Sequence, residues 1–253
     1  MRKNYKYWLT GLVSFLFPSK VAIVILRLLG HRVGVGVNLG FSLLLTNKLL
    51  IDDNVKIGHF NYININRLVM FNEANIGRLN IINGPLSVLL SVKAAIGNGN
   101  KITRGAMGVV VQGPSLLRLG KLSKITSNHR IDCTCSISIG SFTTIAGVYS
   151  QFWTHGYIHL PSGPDRYRID GSIQIGNNVS VGSGSIITAG VKISDDVMIG
   201  AGTTVAKSIV EAGLYVSSNL RRMPNLLDPN NRDDLIHINS PACVDNVYKK
   251  IGM

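Results

Sequence analysis

The chain has 253 residues, 45% of them hydrophobic and 15% charged, a balance that excludes a disordered tail or a charged coiled coil. Its 26 Lys and Arg against 13 Asp and Glu leave a net charge of +13, which points to an anionic partner: nucleic acid, a membrane or a small ligand. Aromatics supply only 7%, against 28 Ile, 27 Leu and 23 Val, so the core is aliphatic, while 27 Gly and 22 Asn allow frequent tight corners.

Residues 1–32 read as a helical cap. The stretch Tyr7–Gly30 is apolar, but Pro18, Lys20 and Arg27 interrupt it, and each half is too short to span a bilayer. No small-residue cleavage site follows, which argues against a secretory leader. Ser19 is placed to cap the second half and Gly30 to end it. The first acidic residue is Asp52, preceded by Arg2, Lys3, Lys6, Lys20, Arg27, Arg32 and Lys48. This basic, apolar lead fits a cytoplasmic location with peripheral contact at the inner face of a membrane. No nucleic-acid-binding motif follows, so nucleic acid is not expected as a partner. The plainer alternative is that the two halves only plug one end of the fold.

A six-residue beat then begins. Val33, Leu39, Leu45, Ile51, Ile57, Ile63 and Val69 stand six apart, and Gly34, Gly40 and Gly58 follow three of them. The beat slips and resumes at Ile76 and Ile82, at Ile96 and Ile102, at Leu119, Ile125, Ile131 and Ile137, and at Ile139 and Ile145. It returns as Ile175, Val181, Ile187, Ile193, Ile199 and Val205, each followed by a small or polar residue. A period of six is neither 2 nor 3.6, which excludes a plain hairpin meander and an amphipathic helix. Six residues make a short strand and a corner. Three such units close a triangular coil of 18, whose aliphatic side chains stack inward on those of the next coil. Slips mark insertions at corners. Cys133, Cys135 and Cys243 form no disulfide framework, and Cys133-x-Cys135 lacks the second pair that a zinc site needs.

The beat fails between Ile145 and Ile175. The interruption holds Trp153, His155, His159, Arg166, Arg168 and Asp170, and a long loop leaving a regular solenoid usually carries function. His155 and His159 are candidate general bases, and Asp170 or Asp165 is a candidate to orient an imidazole. Arg166 and Arg168 suit a phosphate or carboxylate on a substrate, with Trp153 and His159 beside it.

The pattern [Leu/Ile/Val]-Gly-x-x-x-x over about Val33 to Val210 resembles the hexapeptide-repeat acyltransferase family, most closely its sugar and polysaccharide O-acetyltransferases. The resemblance implies an all-β solenoid, a left-handed parallel β-helix with short helical caps at both ends. Its parts are a cap at 1–32, a solenoid at 33–212 with the excursion at 151–174, and a strand and helical tail at 213–253. The stretch Thr154-His155-Gly156 looks like the family's catalytic loop, which favours His155 as base, although many members have His-Asp where this chain has His155-Gly156. The resemblance further implies a homotrimer with sites between subunits, acetyl-CoA as donor and no metal. The acceptor would be a sugar or lipid-linked oligosaccharide of surface polysaccharide, such as O-antigen or capsule. Ile199 to Lys207 looks like the family's CoA coil. By that likeness Gly200, Ala201, Gly202 and Thr203 line the pantetheine arm, Lys207 meets phosphate, and Gly182 and Ser183 form the adjoining wall. Beyond the coil the family shows Gly-Asn-Pro-Ala and a basic residue; this chain has Ser218-Asn-Leu-Arg-Arg222, in which only the asparagine matches and Arg221 and Arg222 supply the positive charge for CoA. Ser240 and Pro241 are placed to begin a closing helix. Rival readings are an N-acyltransferase on an amino sugar nucleotide, a zinc enzyme using His129, His155 and His159, and a non-catalytic scaffold.

Overall fold

The computed structural model describes residues 5–107, 111, 113–159, 166–217, 221–223, 235–238 and 247–250. Among these, three parallel sheets form the walls of a β-solenoid, consistent with the left-handed form that the resemblance implies. Two of the sheets have eight strands and the other has ten. The first wall runs from Arg32–Val33 to Lys192–Ile193, and the third from Leu43–Leu45 to Thr204–Val205. The second runs from Asn38–Leu39 to Gly213–Val216 and is edged by the antiparallel strand Arg221–Met223. The parallel pairing therefore reaches a few residues beyond the expected boundary at 212.

Each wall contributes at least one inward column. In the first, Val33, Ile51, Met70, Leu90, Leu119, Ile139, Ile175 and Ile193 stack in register. In the third, the column is Leu44, Ile63, Ile82, Ile102, Ile131, Phe152, Ile187 and Val205. Every member of both columns is buried, at about 1.5–3 kcal/mol of stabilisation per side chain. The columns explain the slips. Val33 to Ile51 is 18 residues, but Ile51 to Met70 is 19 and Met70 to Leu90 is 20. Hence Met70 rather than Val69 takes the first-wall slot, and Leu44 rather than Leu45 the third-wall slot. The beat also never stopped at 151, because Phe152 fills a slot that aliphatics fill elsewhere. The true excursion is Trp153–Gly171, and its described part is an antiparallel hairpin of His155–His159 and Arg166–Asp170.

The small residue after each aliphatic is needed for stacking more than for turning. A Cβ on Gly58 would lie 2.5 Å from the carbonyl oxygen of Gly77, and one on Gly140 2.4 Å from the carbonyl of Gly176. The backbone of the next coil occupies that space.

A polar ladder runs inside the corner between the second and third walls. The side chains of Ser42, Asn61, Asn80, Asn100 and His129 each accept the backbone N–H of the next, ending at Ser150. All six residues are buried. Thus three of the asparagines, Asn61, Asn80 and Asn100, are interior hydrogen-bonding groups rather than turn formers. His129 belongs to this ladder: Nδ1 accepts Ser150 N–H and Nε2 bonds Thr126 Oγ1, and burial lowers its pKa. With both nitrogens engaged inside, it is not placed to join His155 in a surface metal site.

Helices α1 (Tyr5–Leu16) and α2 (Ser19–Leu28) close the N-terminal end. Gly30, at φ +77°, ends α2 as expected, with its N–H on Arg27 and that of His31 on Leu26. Ser19 does not cap α2. Its hydroxyl accepts the Leu39 N–H and so ties the helix to the first coil. In the tail, Ser240 and Pro241 lie outside the described residues, and Val247–Lys250 is a strand paired with Leu235–Ile238 rather than part of a helix.

Candidate active site

The site grows from the third wall. In the strand Arg130–Asp132, Ile131 points into the core, so Arg130 and Asp132 are offset to the opposite face. Arg130 is exposed, but Asp132 is buried at 9% because the next coil covers it. That cover is Thr154, fully buried, whose N–H lies 3.1 Å and hydroxyl 2.7 Å from Asp132 Oδ2. The same hydroxyl accepts Cys135 N–H at 3.0 Å, which pins the departure point of the hairpin. His155 follows immediately. Its Nδ1 lies 2.9 Å from Asp132 Oδ2 and 3.2 Å from Thr134 Oγ1, and Thr134 donates to Asp132 Oδ1 at 3.0 Å. Trp153 and Tyr157 stand edge-on to the imidazole, with ring centroids 6.3 and 6.2 Å away.

Burial raises the pKa of Asp132, but hydrogen bonds from Thr154 and His155, the nearby imidazole charge and the Thr134 hydroxyl outweigh it. The net shift is downward, so this carboxyl is a fixed anion. With Nδ1 on that anion, Nε2 makes no hydrogen bond among the described residues and is the nitrogen available for proton transfer. Burial pushes the Cys133 thiol far up, which suits a packing role and not a nucleophile.

The expected partner Asp170 is not the one that holds His155. Asp170 is the register partner of His155 across the hairpin base, but its carboxylate accepts Arg168 Nε at 2.6 Å. The Arg168 guanidinium in turn sits 6.0 Å from the Tyr157 ring centre, so it braces the hairpin. His159 and Arg166 pair at the other end of the hairpin, and their side chains lie outside the described set. Asp165 is also outside it. Sequence reading missed Asp132 because it searched the excursion, whereas the partner comes from the preceding coil. A signal existed: Asp132 is the lone carboxylate between Glu73 and Asp165.

The expected CoA residues fall on two corners. Gly182, Ser183, Gly200, Ala201 and Gly202 lie where the second wall turns into the third, and Gly202 takes φ +69° there. Lys207, exposed, follows Thr204–Val205 and shares the corner between the third and first walls with His155. Thr203 is wholly buried with its hydroxyl turned inward, so its side chain does not line an outer groove. Arg221 and Arg222 lie on the strand that edges the second wall, paired with Val216 and Tyr215. Among the described residues no group of three His, Cys, Asp or Glu is arranged to hold a metal.

Residues 172–207 match the family model described as bacterial transferase hexapeptide (six repeats), the stretch where the beat is most regular. That stretch carries the hexapeptide repeat. The chain is 38% identical over 88 residues to a putative acetyltransferase, YvoF, of Bacillus subtilis (strain 168), covering 34% of this chain and 46% of that one. It is 56% identical over 43 residues to the bifunctional protein GlmU of a Nitratiruptor species, covering 17% and 10%. The chain therefore spans less than half the length of these curated relatives. Among solved structures, the polySia specific acetyltransferase NeuO aligns with 80% of this chain and 90% of its own, at 16% identity and a TM-score of 0.48.

Proposed function

We propose that this hexapeptide-repeat protein transfers an acetyl group from acetyl-CoA to a hydroxyl of a saccharide, with His155 as general base. The observation that supports this reading is the imidazole held at Nδ1 by a buried carboxylate, beside an open cavity of about 280 Å³ lined in part by Trp153 and His155. In the proposed reaction, Nε2 takes the proton of the acceptor hydroxyl as its oxygen attacks the thioester carbon. The tetrahedral intermediate then breaks its C–S bond, and the same proton passes from the imidazolium to the leaving thiolate. The products are an O-acetyl ester and CoA. Asp132 offsets the positive charge that the ring carries between these two transfers.

A homotrimer belongs to the proposal. In one subunit the glycine-rich corner and the His155 corner lie on opposite edges of the third wall, and a neighbouring subunit against that wall would close a groove between them. The site in surface-polysaccharide synthesis belongs to it as well, and rests on the N-terminal helices. Trp8, Leu12 and Leu16 of α1 and Val24 and Leu28 of α2 are each more than half exposed. No acidic residue precedes Asp52, and among the described residues no helix is long and apolar enough to cross a membrane. Such a face suits the cytoplasmic surface of an anionic bilayer, where a lipid-linked acceptor would be met. The proposal is tested by mass spectrometry of glycan acceptors incubated with acetyl-CoA and the protein. Gain of one acetyl unit supports it, and CoA release with no acetylated glycan sinks the acceptor assignment.

A further inference from the structure

The third wall presents an outward row in strand register: Tyr62, Ile81, Lys101, Arg130, Gln151, Ile186 and Thr204. Only two of these positions are charged, both are cationic, and they are direct neighbours on adjacent strands, about 4.8 Å apart along the wall. Like charges placed directly side by side in a sheet repel and destabilise it. Neither Lys101 nor Arg130 is in an ion pair among the described residues, and the one carboxylate lining the His155 cavity, Asp132, is engaged by Thr154, Thr134 and His155. The same two residues line the cavity that holds His155 and Trp153, with Thr103, Ile131 and Asp132 on its wall, so two cations face one carboxylate there.

The cavity also has a direction. From His155 the third wall continues toward Ile186–Ile187 and Thr204–Val205 on one side, where the expected donor coils lie. Lys101 and Arg130 lie on the other side, two and one coils before Gln151–Phe152 respectively. A cation pair on that side is separated from the donor coils by the base itself.

We propose that Lys101 and Arg130 bind an anionic group on the acceptor saccharide, a carboxylate or a phosphate, and so set which hydroxyl reaches Nε2 of His155. This rests on the transfer reading above and adds the acceptor's chemical class. The guanidinium of Arg130 supplies a planar pair of donors and Lys101 a mobile point charge, a combination that accepts either oxyanion. The anion relieves the repulsion between the two cations, which gives the charged acceptor an advantage that a neutral sugar of the same shape lacks. Trp153 is 38% exposed at the cavity edge and offers a flat apolar surface to the sugar ring.

The experiment compares methyl glucoside, methyl glucuronide and glucose 6-phosphate as acceptors with the full chain. A second arm titrates glucuronate and inorganic phosphate by ligand-observed NMR, which needs no turnover. KM for at least one charged acceptor is expected to be about tenfold or more below that of the neutral glycoside. The double variant Lys101→Gln/Arg130→Gln should raise that KM by about the same factor without moving KM for acetyl-CoA. Lys101→Arg/Arg130→Lys should keep most of the preference. Comparison of the carboxylate and phosphate arms identifies the anion. Equal kcat/KM for neutral and charged acceptors, or a preference that survives the double Gln substitution, overturns the inference while leaving the transfer reading intact. If no sugar is acetylated yet either anion binds and its binding is lost in the Gln variant, the transfer reading falls and the anion site stands. Absence of anion binding to the unsubstituted protein overturns the anion site.

Discussion

Asp132→Asn separates charge from geometry at the candidate site. Asp132 Oδ2 accepts Thr154 N–H, the Thr154 hydroxyl and His155 Nδ1, while Oδ1 meets only Thr134 Oγ1. An asparagine can set its carbonyl oxygen at the Oδ2 position and turn its NH₂ toward the Thr134 oxygen. The hydrogen bonds survive and one negative charge is lost. A hydrogen bond between charged partners exceeds a neutral one by an amount that puts this loss at about 1–1.5 kcal/mol. The full amount is felt only when the imidazole carries its proton, between attack and thiolate departure. At about 1.36 kcal/mol per tenfold, kcat should fall about 5- to 13-fold with KM for acetyl-CoA little changed. Thiol release, followed with a chromogenic disulfide, measures this, and a circular dichroism melt controls for folding. Asp170→Asn is the matched control, because that carboxylate faces Arg168, and it should keep turnover within about twofold. Asp132→Asn within twofold of the unsubstituted protein, or Asp170→Asn equally damaging, would refute the assignment.

Three further outcomes follow from the same structure. His31 is buried with Nδ1 accepting Leu49 N–H and Nε2 on Thr10 Oγ1, and burial, then the Lys6 charge, lowers its pKa from 6.5 to about 4. The unfolded chain takes this proton first, so stability is full above pH 6.5 and declines by up to about 3 kcal/mol as pH falls toward 4, then levels. His31→Asn should flatten that stretch of a urea-unfolding pH series, and an unchanged slope would show another group responsible. Asn80→Ala strands the Asn100 N–H, one hydrogen of the Asn100 amide and the Gly97 carbonyl inside the ladder, and should cost about 2–5 kcal/mol in urea unfolding. A loss under 1 kcal/mol would mean that water repairs the corner. Vesicles containing phosphatidylglycerol should co-float with the protein, and Trp8→Ser/Leu12→Ser should abolish this; equal flotation with purely zwitterionic vesicles would remove the role of charge.

The walls were legible because each inward slot repeats an aliphatic and each outer corner a small residue, a constraint that acts along the chain at near-constant spacing. Where Phe152 or Met70 fills a slot, a beat read from Ile, Leu and Val goes silent although the coil continues. The ladder was hidden because asparagine signals a tight corner as readily as an interior amide, and only stacking tells the two apart. His155 was legible from its place in the excursion. Its partner was not, because in a solenoid the neighbours of a residue lie one coil away, here 23 positions back at Asp132. The side-by-side cations Lys101 and Arg130 are likewise 29 positions apart in the chain, because the insertion between Thr103 and Leu116 lengthens that coil.

The most direct measurement pairs the unsubstituted chain with His155→Ala, each given acetyl-CoA and a saccharide acceptor, with the glycan read by mass spectrometry and CoA binding by calorimetry. The account predicts an acetylated glycan from the first. From the second it predicts an acetyl-transfer rate reduced by about a hundredfold or more, with the CoA dissociation constant preserved. Equal acetylation by the two proteins would contradict it.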